Sequence, residues 1–383
     1  MSAGTRCQYD HGVRRILTLG LAGVVLLYAP AAQGATRQAG ARLVTWTLTS
    51  RFINPALTPF NGSGPPQLRV NVLLPPGYNG RRRFPLLLLL HGHGDTYANW
   101  MDPAHGDLEA LAPGLPAIVV MPDAAQGWFT DWWDGGARGS DGRAWESYYL
   151  DQLLPLIQSR LRILPGRQNH AVAGLSMGGE GAVYLGEQRP DYFGTVGTFS
   201  GVLSILRPEW PTGFNTQGQD FNTVYGTAGA FYAQGHDPTT LAPNLAYSRV
   251  FVRVGDGVNS PFYAPDATNY FGGLAEAELR QHAQDFVSAL GSTTAVVHYE
   301  PVDGIHDWPW WRMAFSSFLN WGLFGAVQAG ASHWTFLTVR ASGRAWGLRY
   351  SFAQPPAALE KFQLEGRTPV SYTHLTLPTI LRV

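Results

Sequence analysis

The chain has 383 residues, enough for one large catalytic domain with an appendage or for two domains. Hydrophobic residues make up 45% and charged ones only 14%, which supplies core material and excludes disorder over most of the length. The formal net charge is +0, and the only basic run in the body of the chain, Arg81 to Arg83, is too short for a nucleic-acid surface, so that class is excluded.

The N-terminus reads as an export signal over residues 1–34. Arg14 and Arg15 precede the apolar run Ile16 to Pro30, and small residues follow at Ala31, Ala32 and Gly34. The run is shorter than the ~20 residues of a membrane span, so a stable span is not expected. Cleavage after Gly34 makes the mature protein secreted, extracellular or in the cell wall. It also removes Cys7, the only cysteine, which excludes disulfides, a cysteine nucleophile and cysteine metal sites.

A catalytic domain is expected over 41–328. "LVTWTLTS" alternates like a strand, and a Pro, Asn and Gly-rich loop follows up to Pro66. Leu68 to Tyr78 reads as a strand stopped by Pro75-Pro76. Phe84 to Gly94 and Leu115 to Ala124 are continuous apolar runs, suited to strands covered on both faces. A helix is predicted from Ala144 to Ile163, with Pro155 as a kink point. His170 to Pro190 reads as strand, tight turn, helix. "GTVGTFSGVLS", "RVFVRVGDG" and "AVVHYEPV" supply further strands, and "EAELRQHAQDFVSALG" a helix ended by Gly291. Strands alternating with helices predict an α/β fold: a mostly parallel central sheet flanked by helices. Residues 329–366 read as the start of a small β-rich C-terminal module, with "HWTFLTVRASG" and "AWGLRYSF" joined by a Ser-Gly turn. Residues 367–383, including "SYTHLTLPTILRV", resemble translated sequencing-adapter sequence and read as a non-native tail.

Three segments carry chemistry. Gly174-Leu175-Ser176-Met177-Gly178 fits G-x-S-x-G between a strand and a helix, the turn that lifts a serine hydroxyl above a sheet edge. The N–H of Met177 would then face a developing oxyanion. His91-Gly92-His93-Gly94-Asp95 ends the leucine strand, and the N–H of His93 is the candidate second oxyanion donor. His91 and His93 could alternatively pair on a metal, but no third ligand with matching context accompanies them, so neither metal nor cofactor is expected. Gly304-Ile305-His306-Asp307-Trp308 places His306 after the last core strand, which suits the general base of a Ser, acid, His order. For the acid, Asp256 and Glu276 both fit, and spacing does not choose between them. Trp100, Trp132 and Trp308 are candidate substrate-binding residues, with core packing as the alternative.

Together these segments resemble the esterase family that holds bacterial tributyrin-type (esterase D type) esterases and the secreted mycolyltransferases of the antigen 85 type. The resemblance spans Leu68 to Leu323 and rests on "LLHGHGDTYANW", "TDWWDGG", "WESYYLDQLLPLI", "GLSMGGEGAVYLG", "RPDYFGTVGTFSG", "VGDG" and "GIHDWPWW". It implies an α/β-hydrolase fold and a Ser-His-Glu triad, with Glu276 as the acid. It implies transfer of an acyl group from an ester substrate to water or to a sugar hydroxyl, free or on a glycolipid. The mycolyltransferases carry an aspartate where His91 stands, and an arginine that helps bind trehalose where this chain has Gly94-Asp95. A serine peptidase of the same fold and a non-catalytic surface-binding protein are the competing readings. Oligomeric state is not legible.

Overall fold

The apolar runs bounded by Pro and Gly become the strands of one sheet. The computed structural model describes residues 40–57, 67–134, 141–259, 269–365, 368–373 and 380–382. The expected export signal lies outside the described residues. The strands are β1 (Arg42–Leu48), β2 (Leu68–Leu74), β3 (Leu86–Leu90), β4 (Ile118–Pro122), β5 (His170–Leu175), β6 (Thr195–Phe199), β7 (Arg249–Val254) and β8 (Val296–Pro301). Their order is β1-β2-β4-β3-β5-β6-β7-β8. β1 and β4 pair antiparallel with β2, and the pairs from β4 through β8 are parallel. This is the mostly parallel, helix-flanked sheet of the α/β-hydrolase fold.

Every residue of β3 is buried because both of its faces are covered. Leu86, Leu88 and Leu90 join one core with Ala182, Val183, Ala283 and Phe286. Leu87 and Leu89 join the other with Trp100, Trp311, Phe315 and Phe318. Three helices position the site: α1 (Met177–Gln188) and α2 (Tyr270–Leu290) on the first face, and α3 (Trp308–Trp321) on the second.

Helix boundaries depart from the sequence reading in three places. The predicted 144–163 helix is a short turn at Trp145–Ser147, a π-helix over Tyr148–Leu153 and an α-helix over Leu154–Arg160. The wider π turn delivers Pro155 to the start of a fresh helical segment, where its missing N–H leaves no bond unmade. α2 begins before Glu276, capped by the Asn269 side chain on the Gly272 N–H. Gly272 and Gly273, poor helix formers, conceal that start in the sequence. The sequence reading assigns no helix to 308–321, yet Asp307 caps α3 through the Trp308 N–H and Pro309 opens it.

After α3 come β9 (His333–Thr338), β10 (Ser342–Ala345), β11 (Leu348–Ser351), β12 (Glu360–Glu365), β13 (Thr368–Thr373) and β14 (Ile380–Arg382). They form two small sheets, β13-β12-β9 and β10-β11-β14. β13 and β14 fall in the stretch read as a foreign tail. The expected Ser-Gly turn is corrected. The hairpin turns at Trp346-Gly347, both with positive φ, and Ala345 pairs with Leu348. Two consecutive left-handed residues define the type I′ turn that matches strand twist. Phe336, Tyr350 and Phe362 pack between these strands.

The β region is tied to the catalytic one through polar contacts. Asn244 brackets Leu337, donating to its carbonyl (2.8 Å) and accepting its N–H (2.7 Å). Arg340 is 2.9 Å from Glu146 and 2.8 Å from Asp151. A cavity of about 170 Å³ lies there, lined by Asp131, Glu146, Tyr232, His236 and Arg340.

Candidate active site

β5 runs straight into α1, and Ser176 sits at the corner with φ 52° and ψ −123°. The corner is that tight because its neighbours lack side chains. A Cβ on Gly174 would strike the Gly178 carbonyl, and one on Gly178 would strike the His91 carbonyl. Met177 begins the helix, so its N–H is one of the first-turn donors that lack an intrahelical acceptor.

The corner meets a histidine from far downstream. His306 Nε2 lies 2.8 Å from Ser176 Oγ, and its Nδ1 lies 2.8 Å from Glu276 Oε2. Glu276 is buried on α2, and its second oxygen accepts two hydrogen bonds, from Ser200 Oγ (2.6 Å) and the Gly255 N–H (2.6 Å). Those two bonds fix the orientation of the Glu276 side chain beneath the imidazole. Asp256, the alternative acid, is engaged elsewhere: its Oδ1 accepts the N–H groups of Val258 (2.8 Å) and Gly304 (3.2 Å). It braces the loop that carries His306.

Ser200 was not anticipated. It ends β6 in a left-handed conformation with φ 52°, beside the matching kink at Ser176. Its hydroxyl is approached by the Trp311 indole N–H at 3.2 Å, and the Trp311 ring stands edge-on to His306, centroids 4.9 Å apart. The only trace in the sequence is "TFSG", a serine and glycine closing an apolar strand as in "GLSMGG".

His93 lies across from the corner, its ring 5.9 Å from Trp128. Burial lowers its pKa below the usual imidazole value. Trp128 and Phe129 both have positive φ, a strained pair on the loop after β4. The Trp128 indole N–H donates to Gln219 at 2.6 Å. Asp95 belongs to the loop after β3, where it accepts the Gly92 N–H, and burial raises its carboxyl above the usual range.

The three candidate tryptophans lie in the packing of the domain. Trp100 is 1% exposed and donates its indole N–H to the Leu90 carbonyl at 2.9 Å, beneath the site. Trp308 is 7% exposed and packs edge-on against Trp100. Trp132 is 6% exposed, bonded to the Gly127 carbonyl and covered by Arg143. Large rings buried this fully are packing residues, and they offer little surface to a substrate. Trp128, also buried, packs against the His93 ring.

An esterase family description matches residues 65–321, from just ahead of β2 to the end of α3. The chain belongs to that esterase family. An esterase of Mycobacterium tuberculosis is 29% identical over 248 residues, covering 62% of this chain and 52% of the relative. The chain thus spans about half the length of that relative. The diacylglycerol acyltransferase/mycolyltransferase Ag85A of Mycobacterium leprae is 28% identical over 261 residues, covering 61% of this chain and 73% of its own. In fold, an S-formylglutathione hydrolase from Agrobacterium tumefaciens aligns over 75% of this chain and 96% of its own, with a TM-score of 0.56 and 18% identity. Among the described residues of the chain, no helix is long and apolar enough to cross a membrane.

Proposed function

We propose that the protein is an exported serine esterase or acyltransferase working through an acyl-enzyme. Ser176 attacks the ester carbonyl while His306 takes the hydroxyl proton, and Glu276 orients the imidazole and balances its charge. The backbone N–H groups of Met177 and His93 bind the oxyanion. His306 then returns the proton to the departing alcohol. Water, or a sugar hydroxyl, enters by the same route in reverse and releases the acyl group. The observation that carries this reading is the unbroken relay from Ser176 to His306 to Glu276, at 2.8 Å in each step. Export rests on the 1–34 segment of the sequence.

The test is a p-nitrophenyl ester series of increasing chain length, with and without trehalose or glucose, on wild type and Ser176→Ala. Wild type should turn over and acquire a fluorophosphonate label, and the variant should do neither. Activity surviving in Ser176→Ala removes the nucleophile. Sugar-dependent release of p-nitrophenol with formation of an acyl sugar distinguishes transfer from hydrolysis.

A further inference from the structure

The loop after β3 contains an arrangement that catalysis by Ser176 does not by itself require. His91 is 1% exposed and lies at the base of the loop, with Nδ1 2.8 Å from the Gly92 carbonyl oxygen. A carbonyl oxygen can only accept, so Nδ1 carries the hydrogen. The ring is fixed from its other side, where the Ala124 N–H points at Nε2 (2.9 Å) and Asp123 Oδ1 stands 3.5 Å away. The Gly92 carbonyl takes a second bond from the Asp95 N–H at 3.2 Å, and Asp95 Oδ2 accepts the Gly92 N–H at 3.3 Å.

The Gly92 carbonyl belongs to the same peptide unit as the His93 N–H. In a trans peptide the two point in opposite directions. Holding the carbonyl against the His91 ring therefore aims the His93 N–H away from it. Gly92 itself lies against the nucleophile: a Cβ there would be 3.3 Å from Ser176 Cβ and 2.6 Å from Leu175 Cδ1. No side chain fits, and the peptide passes directly beside the serine.

We propose that His91 is a positioning residue for oxyanion stabilisation: its Nδ1–H clamps the Gly92 carbonyl and so aims the His93 N–H at the substrate. This inference rests on the esterase reading. Burial opposes a charge on the ring, and Asp123 favours one strongly enough to raise the pKa overall. With the hydrogen on Nδ1, Nε2 is the acceptor of the Ala124 N–H, and the two bonds together fix the ring in the plane that holds the clamp.

The test compares three variants of the full chain on a p-nitrophenyl ester. An asparagine side chain places a donor where Nδ1 stood, a glutamine places its amide where Nε2 stood, and leucine supplies neither. His91→Gln and His91→Leu should lose kcat by ~10²–10³-fold, the usual effect of losing one oxyanion donor, with KM nearly unchanged. Affinity for phenylboronic acid, whose tetrahedral adduct carries an oxyanion, should fall alongside kcat. His91→Asn should keep most of both. Equal loss in His91→Asn and His91→Gln, or a loss that tracks a fall in melting temperature, makes His91 a packing residue and overturns the proposal. So does a His91→Gln variant with wild-type kcat. A wild-type chain inactive on every ester sinks the esterase reading as well, which is a separate result.

Discussion

Replacing Arg340 with methionine isolates the tie between the β region and the catalytic domain. Its guanidinium is 8% exposed and pairs with Glu146, 3% exposed, and with Asp151, 46% exposed. Burial alone would raise the Glu146 carboxyl, but Arg340, and after it His236, hold it down at about 2. The gap from the ordinary 4.5 is worth about 3 kcal/mol of stability at neutral pH. Breaking one partner of a buried pair costs ~3–5 kcal/mol, in agreement. The outer pair to Asp151 adds at most ~1 kcal/mol. Because the folded-state value is depressed, the contribution is present above 4.5 and is lost as pH falls towards 2. Urea denaturation of wild type and Arg340→Met should therefore differ by about 3 kcal/mol at pH 7, with the difference shrinking as pH approaches 3. A difference below about 1 kcal/mol, typical of an exposed pair, refutes the reasoning. So does one that does not change with pH.

Other expectations follow from the same contacts. Glu276→Gln should lower kcat by orders of magnitude while Asp256→Asn changes it little; steady-state kinetics on both would reverse the acid assignment if the losses were exchanged. Ser200→Ala removes one charge-assisted bond to the buried Glu276, so urea denaturation should show a stability loss of ~1.5–3 kcal/mol and kcat should fall as Glu276 loses an anchor; unchanged stability and kcat would make the bond inconsequential. Glu187 is buried with neither carboxyl oxygen hydrogen-bonded, and burial raises its pKa well above 4.5. A raised carboxyl keeps its proton in the fold while the unfolded chain releases it. Stability should then decline by about 1.4 kcal/mol per pH unit above 4.5. Glu187→Gln should flatten that decline in melting temperatures from pH 4 to 8, and parallel curves would contradict it.

The centre of the sheet was legible because β3 and β4 are buried on both faces, and that burial writes itself as unbroken apolar runs. The corner at Ser176 was legible because its glycines are needed for backbone clearance, which no other residue type provides. His306 followed from its place after the last strand. The choice between Asp256 and Glu276 was not in the spacing, because what separates them is tertiary: Glu276 meets His306 and Ser200, while Asp256 is taken up by the N–H groups of Val258 and Gly304. Ser200 left almost no trace: its effect depends on a left-handed φ and on Trp311 from a helix that begins long after it. For Trp100, Trp132 and Trp308 the sequence left packing and substrate binding both open, because a tryptophan near a motif can point into either face of the sheet. Arg340 gave no signal in the sequence, because its partners Glu146 and Asp151 lie almost 200 residues upstream.

Every residue of α1, from Met177 to Gln188, is buried. A helix with no solvent face cannot fray at its first turn without disturbing the Leu90 and His91 backbone that packs on Gly178 and the Thr198 side chain that packs on Gly179. The reactive corner is thus anchored to the most enclosed element of the molecule. Heat should silence this enzyme only when the whole domain melts, so inactivation and loss of the near-ultraviolet signal should share one transition temperature.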